Sequence, residues 1–265
     1  MLYSFIVKYK YNMNLASKTT EESVFLAKLA EQAGQFNDML SFLKPVLEKH
    51  EELTVDERCL VSVAFKTLCD QKRTAWNTLS GLESDPHYAS VKEKISEYKK
   101  HIESELKKVC VFAISAIDEH LLKSAETAES RVFYLKIKAD YYRYTGEVST
   151  GTELEEISAK ALETYLTGKK VASEGLDAIN PVRLGLALNY SVFCYEIRGN
   201  PKEACQVAKS ALDEAASGLQ ALEEDQYKDT TYIMQMIKDN LASWTSDTAE
   251  PDESPSKEEA ELEFV

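Results

Sequence analysis

Residues 183–197 read RLGLALNYSVFCYEI, and the spacing of their side chains decides how the chain folds. At 3.6 residues per turn, Leu186, Tyr190, Phe193 and Ile197 fall on one stripe, an ordinary packing face. Gly185, Leu188, Asn189, Val192 and Glu196 fall on another, too polar for a pure core face and too apolar for a solvated one. That stripe suits either a core helix with one satisfied amide or a groove wall in which Asn189 pairs with the backbone of an extended peptide. Residues 231–247, TYIMQMIKDNLASWTSD, repeat the pattern with Ile233, Met236, Ile237, Asn240 and Trp244. Two helices with matching mixed stripes are expected to form two walls of one groove.

The same period runs outward over the rest of the chain. Helices are expected over 21–32, ended near Gly34, and over 37–50, where Pro45 either kinks or splits the helix. Another spans 55–82, opened by Thr54 with Asp56 and Glu57 in its first turn. Three follow over 91–123, 130–148 and 154–172. Pro181 opens the helix already described, Pro201 opens one over 202–222, and the last covers 227–246. No strand-like alternation persists, and 9 glycines and 6 prolines in 265 residues leave few breaks. The expected fold is all-α, with consecutive antiparallel helices stacked in an array.

Three regions are expected: an extension over 1–18 with no assigned role, a helical domain over 19–247, and a tail over 248–265. The tail reads TAEPDESPSKEEAELEFV, with seven carboxylates against Lys257, a net of −6. Such a composition is expected to be disordered. A tether that short holds the tail near the last helix, so it is expected either to act as an intramolecular ligand for nearby cations or to stay a solvated chain that makes no contact.

A net charge of −14 argues against a nucleic acid or an anionic membrane as partner. The five scattered cysteines contain no CxxC and fit reduced thiols. No signal peptide or membrane span is expected, which points to the cytoplasm, and to the nucleus as well. The four histidines form no HExxH or other metal-ligand pattern, and no phosphate-binding glycine loop occurs. No catalytic residue, metal or cofactor is expected, so the chain does not read as an enzyme.

Against this acidic background the local cations stand out. Lys66 and Arg73 lie seven residues apart, on one face of their helix. A later helix carries Lys136, Asp140, Arg143, Tyr144 and Glu147. Asp140 can brace Lys136 at i+4 and Arg143 at i−3, and Glu147 can brace Arg143 at i+4. Spacing alone favours solvated surface charges over a binding site.

The segments SVAFK (62–66), RTAW (73–76), ESRVFYLKIKADYYRY (129–144), PVRLGLALNYSVFCYEI (181–197) and YKDTTYIMQMIKDNLASWTSD (227–247) closely resemble the 14-3-3 family. The resemblance covers about residues 23–247 in matching order and spacing. It implies nine antiparallel helices, a cup-shaped dimer, and in each protomer a groove for phosphoserine or phosphothreonine motifs of client proteins. By that resemblance Lys66, Arg73 and Arg143 are phosphate-binding cations and Tyr144 contributes a hydroxyl. Asn189 and Asn240 clamp the peptide backbone. Lys136, Gly185, Leu188, Val192, Glu196, Ile233, Met236 and Trp244 line the groove. The chemistry is consistent, because a phosphoryl group offers nearly two negative charges and several acceptors, which arginine meets bidentately.

The resemblance also implies a dimer interface of Leu29 and Ala33 against Leu79, Leu82 and Tyr98 of a second copy or a paralogue. Around it this chain departs from the family. Gln35 stands at an arginine position facing Glu105, and His101 stands at a lysine position facing Asp38. Ala75 replaces a serine, and Tyr232, Met236 and Ser243 replace aliphatic groove residues. A tetratricopeptide-like scaffold that binds unmodified acidic peptides is the alternative reading.

Overall fold

The computed structural model describes residues 19–48, 51–218 and 224–248, and these pack as two compact units that meet in sequence at Asp177 and Ala178. The expected extension over 1–18 and the tail beyond Thr248 lie outside the described residues. The described residues contain nine helical rods and no strand.

The first unit holds α1 (Thr20–Gln32), α2 (Phe36–Leu47), α3 (Val55–Ser84), α4 (Lys92–Ala116), α5 (Ala128–Glu147) and α6 (Gly151–Gly175). Hydroxyls at the helix starts take up backbone donors that have no partner within the helix. The Thr19 hydroxyl accepts from the Glu22 N–H at 3.1 Å, and the Thr127 hydroxyl accepts from the Ser130 N–H at 3.1 Å. Thr54 and Glu57 form a reciprocal capping box, with the Thr54 N–H donating to Glu57 at 2.8 Å. Gly34, at φ +67°, ends α1: its N–H reaches Glu31 and the Gln35 N–H reaches Ala30. That is a Schellman turn, which only glycine makes without strain.

Pro45 does not split α2. The helix runs through it to Leu47, so the missing Pro45 N–H costs the bond to the Ser41 carbonyl without ending the helix. The rod of α4 continues past Ala116 through a π turn, Ile117–Leu121, into Leu122–Ser124. A Cβ on Gly175 would stand 2.5 Å from the Cβ of Ala128, so the end of α6 approaches the start of α5 as closely as backbone allows.

The core of this unit follows the helical period. Val61, Ala64, Phe65, Leu68 and Cys69 of α3 are buried against Leu106, Val109, Cys110 and Ala113 of α4 and Tyr134, Ile137 and Tyr141 of α5. Phe65 is the hub, its ring 5.6 Å from Phe112 and 6.1 Å from Tyr141. With α3 rotated to bury that stripe, Lys66, Asp70 and Arg73 are carried to one edge of the core.

The second unit holds α7 (Pro181–Glu196), α8 (Pro201–Ala216) and α9 (Glu224–Thr248), each packed against the other two. Asn180 and Asn200 cap α7 and α8 ahead of a proline at the first helical position. The helix expected over 202–222 stops at Ala216. A Cβ on Gly218 would come within 2.6 Å of Ile179, so the chain turns there and uses a glycine to do so. Leu184, Leu186, Tyr190, Phe193, Ala204, Ala208, Met234 and Ile237 are buried in this unit.

Candidate functional site

Two charged stripes face each other in the first unit. On α3, Lys66, Asp70 and Arg73 follow the i, i+4, i+7 spacing, and on α5 Lys136, Asp140, Arg143 and Glu147 continue the same rule through i+11. Arg73 bridges the helices: its Nε and Nη2 donate to the two Glu147 oxygens at 2.6 and 2.9 Å. Its Nη1 donates to Asp70 at 3.0 Å, and Lys66 donates to the other Asp70 oxygen at 2.7 Å. Arg143 donates from Nη1 to Glu147 at 3.0 Å and has its Nη2 3.9 Å from Asp140. Lys136 lies 3.5 Å from Asp140. The Tyr144 ring lies beneath both guanidiniums, 4.1 Å from that of Arg73 and 4.7 Å from that of Arg143.

The structure thus brings Lys66, Arg73, Arg143, Tyr144 and Lys136 together. They differ sharply in depth, which sequence spacing did not reveal. The Lys66 side chain is 63% exposed, whereas that of Arg143 is 9% exposed. Burial opposes the Arg143 charge, but Tyr165, Asp140, Tyr144 and Glu147 more than offset it and hold its pKa above the ordinary arginine value. Arg73 behaves alike: burial opposes its charge, and the hydrogen bonds and charge of Glu147, with Tyr144, together outweigh it. Burial is also the main reason the Tyr144 hydroxyl is held protonated well beyond its ordinary range.

Two supporting residues escaped the sequence reading. Tyr165, fully buried on α6, donates its hydroxyl to Asp140 at 2.6 Å and so fixes the carboxylate that faces Arg143. Asp70 holds Lys66 and Arg73 together on α3. Its position, i+4 from one cation and i−3 from the other, was the available signal.

The second unit presents the mixed stripes. On α7, Gly185, Asn189 and Val192 are half-buried, Leu188 is buried and Glu196 is exposed, while Tyr190 and Phe193 point to the core. On α9, Ile233 and Asn240 are half-buried and Met236 is exposed. Ile237 departs from the expected stripe: it is fully buried, because α9 turns it into the core beside Met234. Trp244 is buried too, its ring stacked at 5.0 Å on Tyr195 of α7. That stack ties the ends of the two striped helices together.

Leu29 and Tyr98 expose large apolar surfaces, as does Phe25 one turn before Leu29. Ala33, Gln35, Asp38 and His101 are exposed, and Leu79, Leu82 and Glu105 are half-buried. Within the chain Glu105 already accepts from Lys72 at 2.7 Å and stands 3.5 Å from His101. The Lys72 hydrogen bond holds the Glu105 carboxyl below its usual range. Among the described residues no helix is long and apolar enough to cross a membrane, and no cluster of His, Cys, Asp and Glu is arranged for a metal ion.

A family model described as 14-3-3 protein matches residues 26–245. The chain is 45% identical over 250 residues to 14-3-3 protein 7 of Solanum lycopersicum, covering 93% of this chain and 99% of that protein. It is 45% identical over 240 residues to the 14-3-3-like protein GF14 epsilon of Arabidopsis thaliana, covering 89% and 94%. With Protein BMH2 of Saccharomyces cerevisiae it shares 44% identity over 238 residues, covering 88% and 87%. An all-α array with these matches across most of its length belongs to the 14-3-3 family.

Proposed function

We propose that this chain is a non-catalytic adaptor that binds phosphoserine or phosphothreonine segments of client proteins. The observation that carries the reading is the cation cluster of Lys66, Arg73 and Arg143, the arginines held in place by Glu147 and Asp140 and Lys66 by Asp70. Cations fixed before the ligand arrives lose little side-chain entropy on binding, and charge-assisted hydrogen bonds to a phosphoryl group contribute roughly 1.5–3 kcal/mol each. No chemistry on the ligand is required. Asn189 and Asn240 supply amides for a peptide backbone, and Leu188, Val192, Ile233 and Met236 supply apolar contact. Gly185, Glu196 and Trp244 complete the proposed lining in the second unit, and Lys136 adds a cation in the first.

The same reading assigns Leu29, Ala33, Leu79, Leu82 and Tyr98 to a dimer interface with a second copy or a paralogue, and places the protein in the cytoplasm and nucleus. Gln35 and His101 supply no strong cation there, so apolar contact carries the association.

Calorimetry with an Arg-x-x-phosphoserine-x-Pro peptide, with and without the phosphate, tests the proposal. Binding of the phosphorylated form at least a hundredfold tighter is expected. Equal binding of the two forms would overturn it in favour of a scaffold for unmodified acidic peptides.

A further inference from the structure

Three carboxylates touch the cation cluster, and they are not equivalent. Asp140 and Glu147 lie deep, with side chains 7% and 19% exposed, and each faces the inner arginine, Arg143. They hold guanidiniums from below. Asp70 is the outermost, 35% exposed, and bonds to Lys66 and Arg73 only. Its two oxygens take one donor from each cation, at 2.7 and 3.0 Å. That is the bridging arrangement a phosphoryl group needs from the same two side chains.

We infer that Asp70 is an internal competitor for the phosphoryl group, an affinity-limiting residue of this site. The inference rests on the phosphopeptide reading above and adds a restraint to it. With Asp70 ionised, Lys66, Arg73, Arg143 and Lys136 set four positive charges against three negative ones from Asp70, Asp140 and Glu147. The surplus is one charge, against nearly two on a phosphoryl group. Binding requires Lys66 and Arg73 to exchange the Asp70 carboxylate for phosphate oxygens, and it leaves that carboxylate beside a second anion. Both effects weaken the complex. Partial exposure of Asp70 keeps the repulsion moderate, because solvent screens it. The neighbouring carboxylates do not act this way: Glu147 faces both arginines and Asp140 is held by Tyr165, so both remain in place as supports.

Asp70→Asn and Asp70→Ala are compared with the unmodified full chain by calorimetry, using the phosphoserine peptide and its unphosphorylated form. Both variants are expected to bind the phosphopeptide about tenfold more tightly at low salt, with the gain shrinking several-fold at about 0.5 M salt. Circular dichroism should show unchanged helicity. Unchanged or weaker phosphopeptide binding by both variants, with phosphate dependence intact, would overturn this inference alone and make Asp70 an orienting group. Loss of phosphate dependence in every protein, the unmodified chain included, would overturn the proposed function as well.

Discussion

The candidate residues of α3 and α5 are mostly charged side chains paired with one another, whereas those of α7 and α9 include two amides, Asn189 and Asn240, among apolar residues. Arg143, Asp140 and Glu147 of the first region depend on neighbours for their charges to be tolerable at depth. Asn189 and Asn240 carry no charge, and the helices that bear them are held by apolar packing such as the Tyr195–Trp244 stack. Under the proposed function, the first region would meet a charge and the second a peptide backbone. A mutation in the first should disturb stability and affinity together wherever the residue is deep. A mutation in the second should change affinity without changing the preference for phosphate.

Arg143→Ala should give the largest effect and test this coupling directly. Removing one partner of a buried ion pair costs roughly 3–5 kcal/mol, so denaturant unfolding should reveal a marked loss of stability alongside loss of phosphopeptide binding. An Arg143→Ala protein of normal stability would show that depth does not govern this cluster.

Lys66→Glu separates the two quantities. Because Lys66 is largely exposed, stability should change by less than about 1 kcal/mol, while phosphopeptide affinity should fall about a hundredfold. Titration and unfolding of the same preparation check both.

Tyr165→Phe sharpens the role of support. It removes the donor to buried Asp140 and should cost about 1–3 kcal/mol in unfolding free energy, with a smaller loss of affinity. On the other side of the comparison, Asn240→Ala should weaken both phosphorylated and unphosphorylated peptides about five- to tenfold, leaving their ratio intact. A change in that ratio would mean that the amide senses the phosphate.

The smallest effect is expected at the Lys72–Glu105 pair. Glu105 has a folded-state pKa below its unfolded one because Lys72 hydrogen-bonds it. Its contribution is therefore present above the unfolded carboxylate pKa and lost as pH falls through the lowered folded value. Glu105→Gln should cost about 0.5 kcal/mol at pH 7, and the difference should vanish once acid protonates Glu105 in both states. Unfolding curves across that range measure it.

Most of the helices were legible because capping residues and apolar spacing are local properties. Thr54 with Glu57, Pro181 and Gly34 each announced an end that the fold then used. The misjudged end, Ala216, depended on Ile179, which crowds Gly218 from almost forty residues away in sequence. Ile237 was misassigned for a related reason: periodicity places residues on a stripe but does not say how wide a core the stripe meets.

The sequence by itself determined the all-α class, the order of the nine rods, the pairings within α5, and the family, since each rests on residues near one another along the chain. Only the tertiary structure decided that Glu147 of α5 reaches Arg73 of α3, that Tyr165 of α6 fixes Asp140, and that Arg143 is deep while Lys66 is not. It also placed Asp70 outermost among the carboxylates. The physical reason is that helical spacing fixes a side chain's direction about its own axis, whereas depth and partner depend on how far the neighbouring helices close over it.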